Sequence, residues 1–408
     1  MIEERIRFYT DVAGIWGHWP NTPTLWSYSS LREIETCPQR WMLSRADYPD
    51  IWERRGYPPL PVAAAVFGSV VHSVIEHLTN TLRDAGTTSS SGGEVIGVLK
   101  SLGGWREIVL AAIETELARL DANPRVSAQS VDRIRSELAR RAPEAADQVK
   151  AFLHRGVLPN GTVHSSKWAD TDGPRRRSPA RPGAHAERVV TSESLRVTGT
   201  IDQLVVDDVN VIVTDFKTGI QDDIHDEQVR LYALLWSLDE QTNPDGRPAT
   251  QLRLVYPSFE RSVDAPDEEQ LDELEAETAA RVATADRITV TPPPTAFPSE
   301  ETCQYCQVKH LCGPYWLSVP PAVSTVSSEE WFDFEGSVLR PNGSRSWIFA
   351  TLSHQRTEIL VRTVETDVPF PAGKRVRLLG VRRNRDPDKP ERLVISMVAT
   401  SEWYSVDT

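Results

Sequence analysis

The segment VTGTIDQLVVDDVNVIVTDFKTG, Val197 to Gly219, constrains this chain more than any other. It reads as two apolar strands joined by a tight polar turn. Strands favour β-branched and aromatic residues and are depleted in aspartate, yet Asp202, Asp215 and Lys217 lie on these two. Side chains alternate along a strand, so Asp215 and Lys217 share a face and Phe216 takes the other. A turn centred on Asp208 and Val209 sets Asp202 across from Asp215, although DDVN is not one of the strong hairpin turns. Two carboxylates brought together repel, and a divalent cation relieves the repulsion. Mg²⁺ takes one or two carboxylates together with waters and phosphate oxygens, a ligand set suited to phosphodiester hydrolysis. Taken alone, D-x-K equally describes a salt bridge between Asp215 and Lys217 on a hairpin edge.

A chain of 408 residues, 39% hydrophobic and 25% charged, has the length for two or three globular domains. The net charge of -13 argues against a generally basic nucleic-acid coat and leaves room for a local basic channel. The longest apolar run, around Pro61 to Val71, is too short for a bilayer. The opening MIEERIRFYTD is charged at once and lacks a signal-peptide core. The expectation is a soluble cytoplasmic protein without membrane contact.

Along the chain, Trp16, Trp19, Trp26, Trp41 and Trp52 read as packing aromatics. FGSVVHSVIEHLTNTLRDAG has helical period, with an apolar stripe of Val71, Val74, Ile75 and Leu78 and with His72 and Glu76 one turn apart on another face. TTSSSGG reads as a flexible loop. Helices are expected near Trp105 to Asn123 and Val126 to Arg155, then a long exposed loop from Asn160 to Gly183. Strand signals begin near Ala186. After the hairpin come a helix near Asp226 to Glu240, a strand in TQLRLVYPS, a solvated acidic helix in DEEQLDELEAETAARVATAD, and a stiff linker in TPPPTAFPSE. From about Glu330 the pattern is all β: FEGSVLR, SWIFATLS, TEILVRTV, KRVRLLGVRR and RLVISMVATSEWYSV make about five strands, which suits a small barrel of the oligonucleotide-binding (OB) type.

Three of the four cysteines cluster in CQYCQVKHLC as Cys303, Cys306 and Cys312, and the fourth, Cys37, stands far away in SSLREIETCPQRWML. Four thiolates suit Zn²⁺ or an iron–sulfur cluster. Paired C-x-x-C knuckles would favour zinc, and one such pair is present. His310 lies among these cysteines and is left out of the ligand set.

The order of motifs is a helix bearing His72, then G-x-x-D (Gly199 to Asp202), D-F-K-T-G (Asp215 to Gly219) and Q-x-x-x-Y (Gln228 to Tyr232). This order resembles the PD-(D/E)XK nuclease superfamily in its RecB-type exonuclease branch, over roughly residues 25 to 315. The resemblance implies that Asp202 and Asp215 bind Mg²⁺ or Mn²⁺, with His72 and the backbone carbonyl of Phe216 as further ligands. It implies that Lys217 is the catalytic lysine and that Gln228 and Tyr232 line the active site from one helical face. Glu76 and Glu187 are acidic and close to the motifs, and they receive only minor parts. A remote cysteine plus a carboxy-terminal trio, with CPQR around Cys37, resembles the iron–sulfur subgroup that includes the AddB nuclease domain and the small CRISPR-associated exonuclease. By that resemblance Cys37, Cys303, Cys306 and Cys312 hold a 4Fe–4S cluster, with Zn²⁺ as the alternative, closing a loop of more than 260 residues.

The resemblance thus implies an α/β fold with a restriction-endonuclease-like core and a mixed sheet. Residues 1–320 would form the nuclease domain, with a helical insertion at about 80–185, and residues 328–408 the OB-like barrel. Hydrolysis would leave a 5′-phosphate and a 3′-hydroxyl, in DNA repair or in defence against foreign DNA. No G-x-x-x-x-G-K-[ST] is present, so strand separation would need a separate helicase or defence partner. A homo-oligomer is compatible with the family. The tail carries twelve Lys plus Arg and twelve Asp plus Glu. Its GKRVRLLGVRRNR run and its aromatics fit either single-strand DNA binding or barrel packing. Arg175, Arg176, Arg177, Arg382 and Arg383 are the candidate DNA contacts. The competing function is a catalytically dormant DNA-binding scaffold that recruits partners.

Overall fold

A computed structural model describes residues 7–12, 14–87, 93–120, 122–156, 178–386 and 388–406. In chain order the elements are β1 (Arg7–Tyr9), β2 (Trp16–His18), α1 (Tyr28–Thr36), α2 (Pro38–Arg45), α3 (Ala63–Asp84), α4 (Gly93–Ser101), α5 (Trp105–Ala118) and α6 (Ala128–Arg155). Then come β3 (Gly183–Ser192), β4 (Val197–Val206), β5 (Val211–Phe216), α7 (Ile224–Leu238), β6 (Gln251–Val255), β7 (Glu260–Val263), α8 (Glu268–Thr289), α9 (Glu300–Cys303) and α10 (Gly313–Ser318). The last strands are β8 (Trp331–Gly343), β9 (Ser346–Thr351), β10 (Glu358–Arg362), β11 (Arg375–Asn384), β12 (Leu393–Ser396) and β13 (Glu402–Val406). The chain divides into two compact units: a sheet unit of Pro23–Leu31 and Pro59–Asp286, and a barrel unit of Met1–Thr22, Arg32–Pro58 and Arg287–Thr408.

The sheet unit is α/β. Its five strands run in the order β3-β4-β5-β6-β7, with β5 and β6 parallel and the other neighbours antiparallel. That is the expected mixed sheet. The parallel pair requires a crossover, which α7 supplies. Val71, Val74, Ile75 and Leu78 of α3 are all buried, as their stripe requires. They share one core with Ile113 and Leu117 of α5, Leu138, Val149 and Phe152 of α6, and Phe216 and Val255 of the sheet. The helices expected as an insertion are therefore packed into the core of this unit. Ser127 caps α6 by accepting the N–H of Ser130 at 3.2 Å. Trp26 is fully buried and its indole donates to Asp286 at 3.0 Å.

In the barrel unit the strand order is β12-β10-β9-β8-β11-β13, and a further β11–β12 pairing closes five strands into a barrel. β10 and β12 are parallel, and the remaining pairs are antiparallel. This closed five-stranded arrangement is OB-like. The last apolar stretch, read as one strand from sequence, is two: β12 and β13 are separated by a turn in which the Ser401 hydroxyl accepts from the N–H of Val398 at 2.8 Å. Phe334 and Phe349 fill the barrel, and Trp347 and Trp403 pack against that core. Most of the tail aromatics are thus barrel packing; Trp331 is exposed beneath the Arg382 guanidinium. Among the described residues no helix is long and apolar enough to cross a membrane.

Candidate functional site

The hairpin register is set by its turn. Asp207 Oδ1 accepts the N–H groups of Val209 at 2.8 Å and Asn210 at 2.6 Å. The aspartate side chain thus does the work that Asn-Gly does in tighter hairpins. The ladder runs from Val206 opposite Val211 to Gln203 opposite Thr214. One step further in that register sets Asp202 opposite Asp215, as the centred turn predicts.

Around this pair the functional side chains converge. Asp202 Oδ2 accepts the N–H of Phe216 at 2.6 Å, and His72 of α3 brings Nδ1 to 3.6 Å from Asp202 Oδ1. Lys217 Nζ lies 2.7 Å from Asp215 Oδ2 and donates to Gln228 Oε1 at 2.8 Å. Gln228 Nε2 in turn donates to the Tyr232 hydroxyl at 2.6 Å. An unbroken polar chain therefore runs from the sheet to α7. His72, Asp202, Asp215, Phe216, Lys217, Gln228 and Tyr232 all line one open cleft of about 250 Å³.

Gly199 explains how α7 comes so close. A Cβ at this position would stand 2.7 Å from Cε1 and 2.9 Å from Cδ1 of Tyr232. The Tyr232 ring, with the Leu235 Cδ1 methyl at 3.2 Å, leaves little room to yield. Gly199→Ala is expected to cost about 1–3 kcal/mol and to dislodge Tyr232 from Gln228. Thermal unfolding checks the first effect, and a crystal structure of the variant checks the second.

Electrostatics mark the same place. Asp215 is 2% exposed. Burial, and then the Asp202 charge, push its carboxyl up to about 7, against the pull of Lys217. Lys217 meets this buried carboxylate at Oδ2, with Nζ 2.7 Å away. Burial lowers the His72 imidazole, but its hydrogen bond to Asp202 and the charges of Asp202, Glu187 and Asp215 outweigh that and leave its pKa raised.

Glu187, given only a minor part from sequence, stands at the same site. Ala186 and Arg188 of β3 pair with Gln203 and Ile201, so Glu187 falls beside Asp202. Its backbone is left-handed, at φ 49°, and burial and Asp202 push its carboxyl up to about 7. One ligand atom each from His72, Glu187 and Asp202 lie within 4.8 Å of one another. The signal would have been the β3–β4 register, which the isolated stretch AHAERVV does not carry. A pocket that gathers carboxylates and an imidazole within ligand reach of one another fits a divalent cation with oxygen and nitrogen ligands.

In the barrel unit the four cysteines converge. Cys37, Cys303, Cys306 and Cys312 line one small apolar pocket with Arg40 and Lys309. Cys37 stands at the start of α2 and Cys312 at the start of α10. Burial pushes the Cys306 thiol up to about 11 and the Cys312 thiol up to about 12, and the sulfurs accept backbone N–H groups of Val308 and Tyr315 respectively. Buried and half-buried thiols that accept N–H groups fit a metal group that would draw off their protons. His310 is fully buried between the rings of Tyr57 and Tyr404.

The arginines divide. Arg382 pairs with Glu329 at 2.5 Å, and Arg383 donates to the carbonyl of Val394 at 3.1 Å. Arg175, Arg176 and Arg177 lie outside the described residues.

No curated protein matches the chain. Among solved structures it is similar to the crystal structure of SSO0001, at 21% identity over 32% of this chain and 61% of that one, with a TM-score of 0.21. It is also similar to a murine DNA binding protein bound with ds DNA (8% identity, 50% and 84% coverage, TM-score 0.19) and to the p204 HINb domain (10%, 57% and 100%, TM-score 0.20). The match spans less than two thirds of SSO0001, and superpositions this distant carry no argument. The sequence model of the PD-(D/E)XK nuclease superfamily matches residues 25–313, which contain the cleft residues and all four cysteines. The chain belongs to the PD-(D/E)XK nuclease superfamily.

Proposed function

We propose that this protein is a Mg²⁺- or Mn²⁺-dependent deoxyribonuclease of the RecB-type branch that trims single strands or duplex ends. The reading rests above all on the unbroken chain from Asp215 through Lys217 and Gln228 to Tyr232 beside Asp202. Asp202, Asp215, His72 and the Phe216 carbonyl would hold the cation, with the Glu187 carboxylate beside Asp202 as a further ligand. Bound there, it supplies Lewis-acid polarisation of the phosphodiester and a more acidic water. Lys217 orients that water or offsets charge developing on the phosphate, and Gln228 and Tyr232 keep the ammonium aimed. Asp202 is braced by the Phe216 N–H, so its outer oxygen is presented in one direction.

Cys37, Cys303, Cys306 and Cys312 would hold a 4Fe–4S cluster. All four line one small pocket. Zn²⁺ is the alternative occupant of the same four thiolates. The nuclease domain would span residues 1–320 and the barrel residues 328–408. The setting would be the cytoplasm, in repair or foreign-DNA defence, with DNA as ligand and a separate helicase or defence protein as partner, in a monomer or homo-oligomer.

The test is cleavage of 5′- and 3′-end-labelled single- and double-stranded DNA with Mg²⁺ or Mn²⁺. Product ladders that require the metal support the reading. Tight DNA binding with no cleavage under any metal would replace it with a dormant scaffold.

A pH dependence follows from the raised carboxyls. Asp215 and Glu187 keep protons up to about 7, and a metal must displace them. Affinity for Mn²⁺ is expected to rise at least tenfold from pH 6 to pH 8, and Glu187→Gln is expected to flatten the curve. Isothermal titration at fixed ionic strength measures it.

A further inference from the structure

The OB-like barrel invites a nucleic-acid role, but its buried polar groups point elsewhere. Lys309 lies between Cys306 and Cys312 and lines the pocket of the four cysteines. Its Nζ is 2.6 Å from Oδ2 of Asp333, a residue of β8 that is 5% exposed. The same oxygen accepts the Tyr315 hydroxyl at 2.5 Å, and Asp333 Oδ1 accepts the N–H of Gly380 in β11 at 2.7 Å. Burial and the Asp333 carboxylate keep the Tyr315 phenol protonated, so it donates.

A second grip lies beside the first. Arg377 of β11 is 1% exposed and donates to the backbone carbonyl of His310 at 2.6 Å. It pairs with Asp11 at 3.0 Å and approaches Glu335 at 3.5 Å. Tyr404 of β13 stacks on His310 with ring centroids 4.0 Å apart. Three barrel strands thus hold the short segment that carries Cys306 and Cys312.

Buried ion pairs are a poor way to gain stability alone, because apolar residues of similar volume do as well or better. A cation beside four sulfurs has another use. Thiolates gathered on a metal group carry net negative charge, and a nearby fixed ammonium offsets it in a low-dielectric pocket.

We propose that the barrel completes the cysteine site, with Asp333 as the positioning residue that fixes the Lys309 ammonium beside the four sulfurs and so tunes the iron–sulfur cluster bound there. The inference rests on the cluster reading given above. Partners one shell out from metal ligands commonly change affinity by roughly ten- to a hundredfold.

The test uses the full chain, purified anaerobically, as wild type, Asp333→Asn, Lys309→Met and the double variant. Iron and sulfide per chain, the rate of iron loss to a chelator, and the midpoint potential are measured. Lys309→Met removes a positive charge and is expected to lower the potential. Asp333→Asn leaves that charge uncompensated and is expected to raise it, and the double variant is expected to fall between them. Either single change is expected to speed iron loss roughly tenfold. If a single variant holds no iron, retention by the double variant still supports the charge argument. Full iron with one common potential in all four proteins overturns the proposal, as does equal loss of iron from all three variants. Wild-type protein with zinc and no sulfide would instead sink the cluster reading beneath it.

Discussion

Asp215→Ala is expected to abolish DNA cleavage, with a loss of at least about a thousandfold, and to raise rather than lower the stability of the metal-free protein at pH 8. The two halves have one cause. The Asp215 carboxyl is pushed up to about 7 in the folded chain by burial and by Asp202, against about 4 in an unfolded one. A raised acid pKa means that ionisation opposes folding. The penalty is absent below about pH 4, grows between about 4 and 7, and is complete above 7. A divalent cation cancels it, so added Mn²⁺ should raise the melting temperature of the wild type and leave Asp215→Ala unmoved. Lys217→Ala should keep that metal-induced rise and still lose about a hundredfold or more in rate. Scanning calorimetry with and without Mn²⁺, beside the end-labelled DNA assay, separates these outcomes. Undiminished cleavage by both variants would remove the catalytic assignment.

Cys37→Ser is expected to strip iron from the protein and to destabilise the barrel unit by on the order of 5 kcal/mol. Cys37 belongs to the Arg32–Pro58 segment, and its three partners lie in the segment that begins at Arg287. A metal group held by all four closes a loop of more than 260 residues, and losing the remote ligand restores that loop's freedom to the unfolded chain. A fall of roughly 10 °C or more in melting temperature should accompany the loss of visible absorbance. A variant that keeps its iron, colour and melting temperature would show that Cys37 is no ligand.

The hairpin shows how far local pattern reaches. Alternation placed Asp215 with Lys217, and the turn around Asp208 and Val209 placed Asp202, because both depend on neighbours in sequence. The α3 stripe was legible for the same reason, since helical period puts Val71, Val74, Ile75 and Leu78 on one side. Glu187 was not legible. Its proximity to Asp202 depends on the pairing of β3 with β4 and on a left-handed backbone at φ 49°. The split of the last apolar stretch into β12 and β13 was equally hidden, because it depends on which barrel strand each half pairs with.

What the sequence determined by itself was chemistry and order: two aspartates on adjoining strands with a lysine just beyond the second, glutamine and tyrosine one helical turn apart, and four cysteines divided one and three. Periodicity and spacing act over a few residues, so they are written in the chain. Tertiary structure alone decided which distant groups share a pocket. It set Glu187 with His72 and Asp202, brought Cys37 to Cys303, Cys306 and Cys312, and put Asp333 against Lys309. Such contacts arise when burial of apolar surface folds remote segments together, and no local signal records which polar groups that burial leaves face to face.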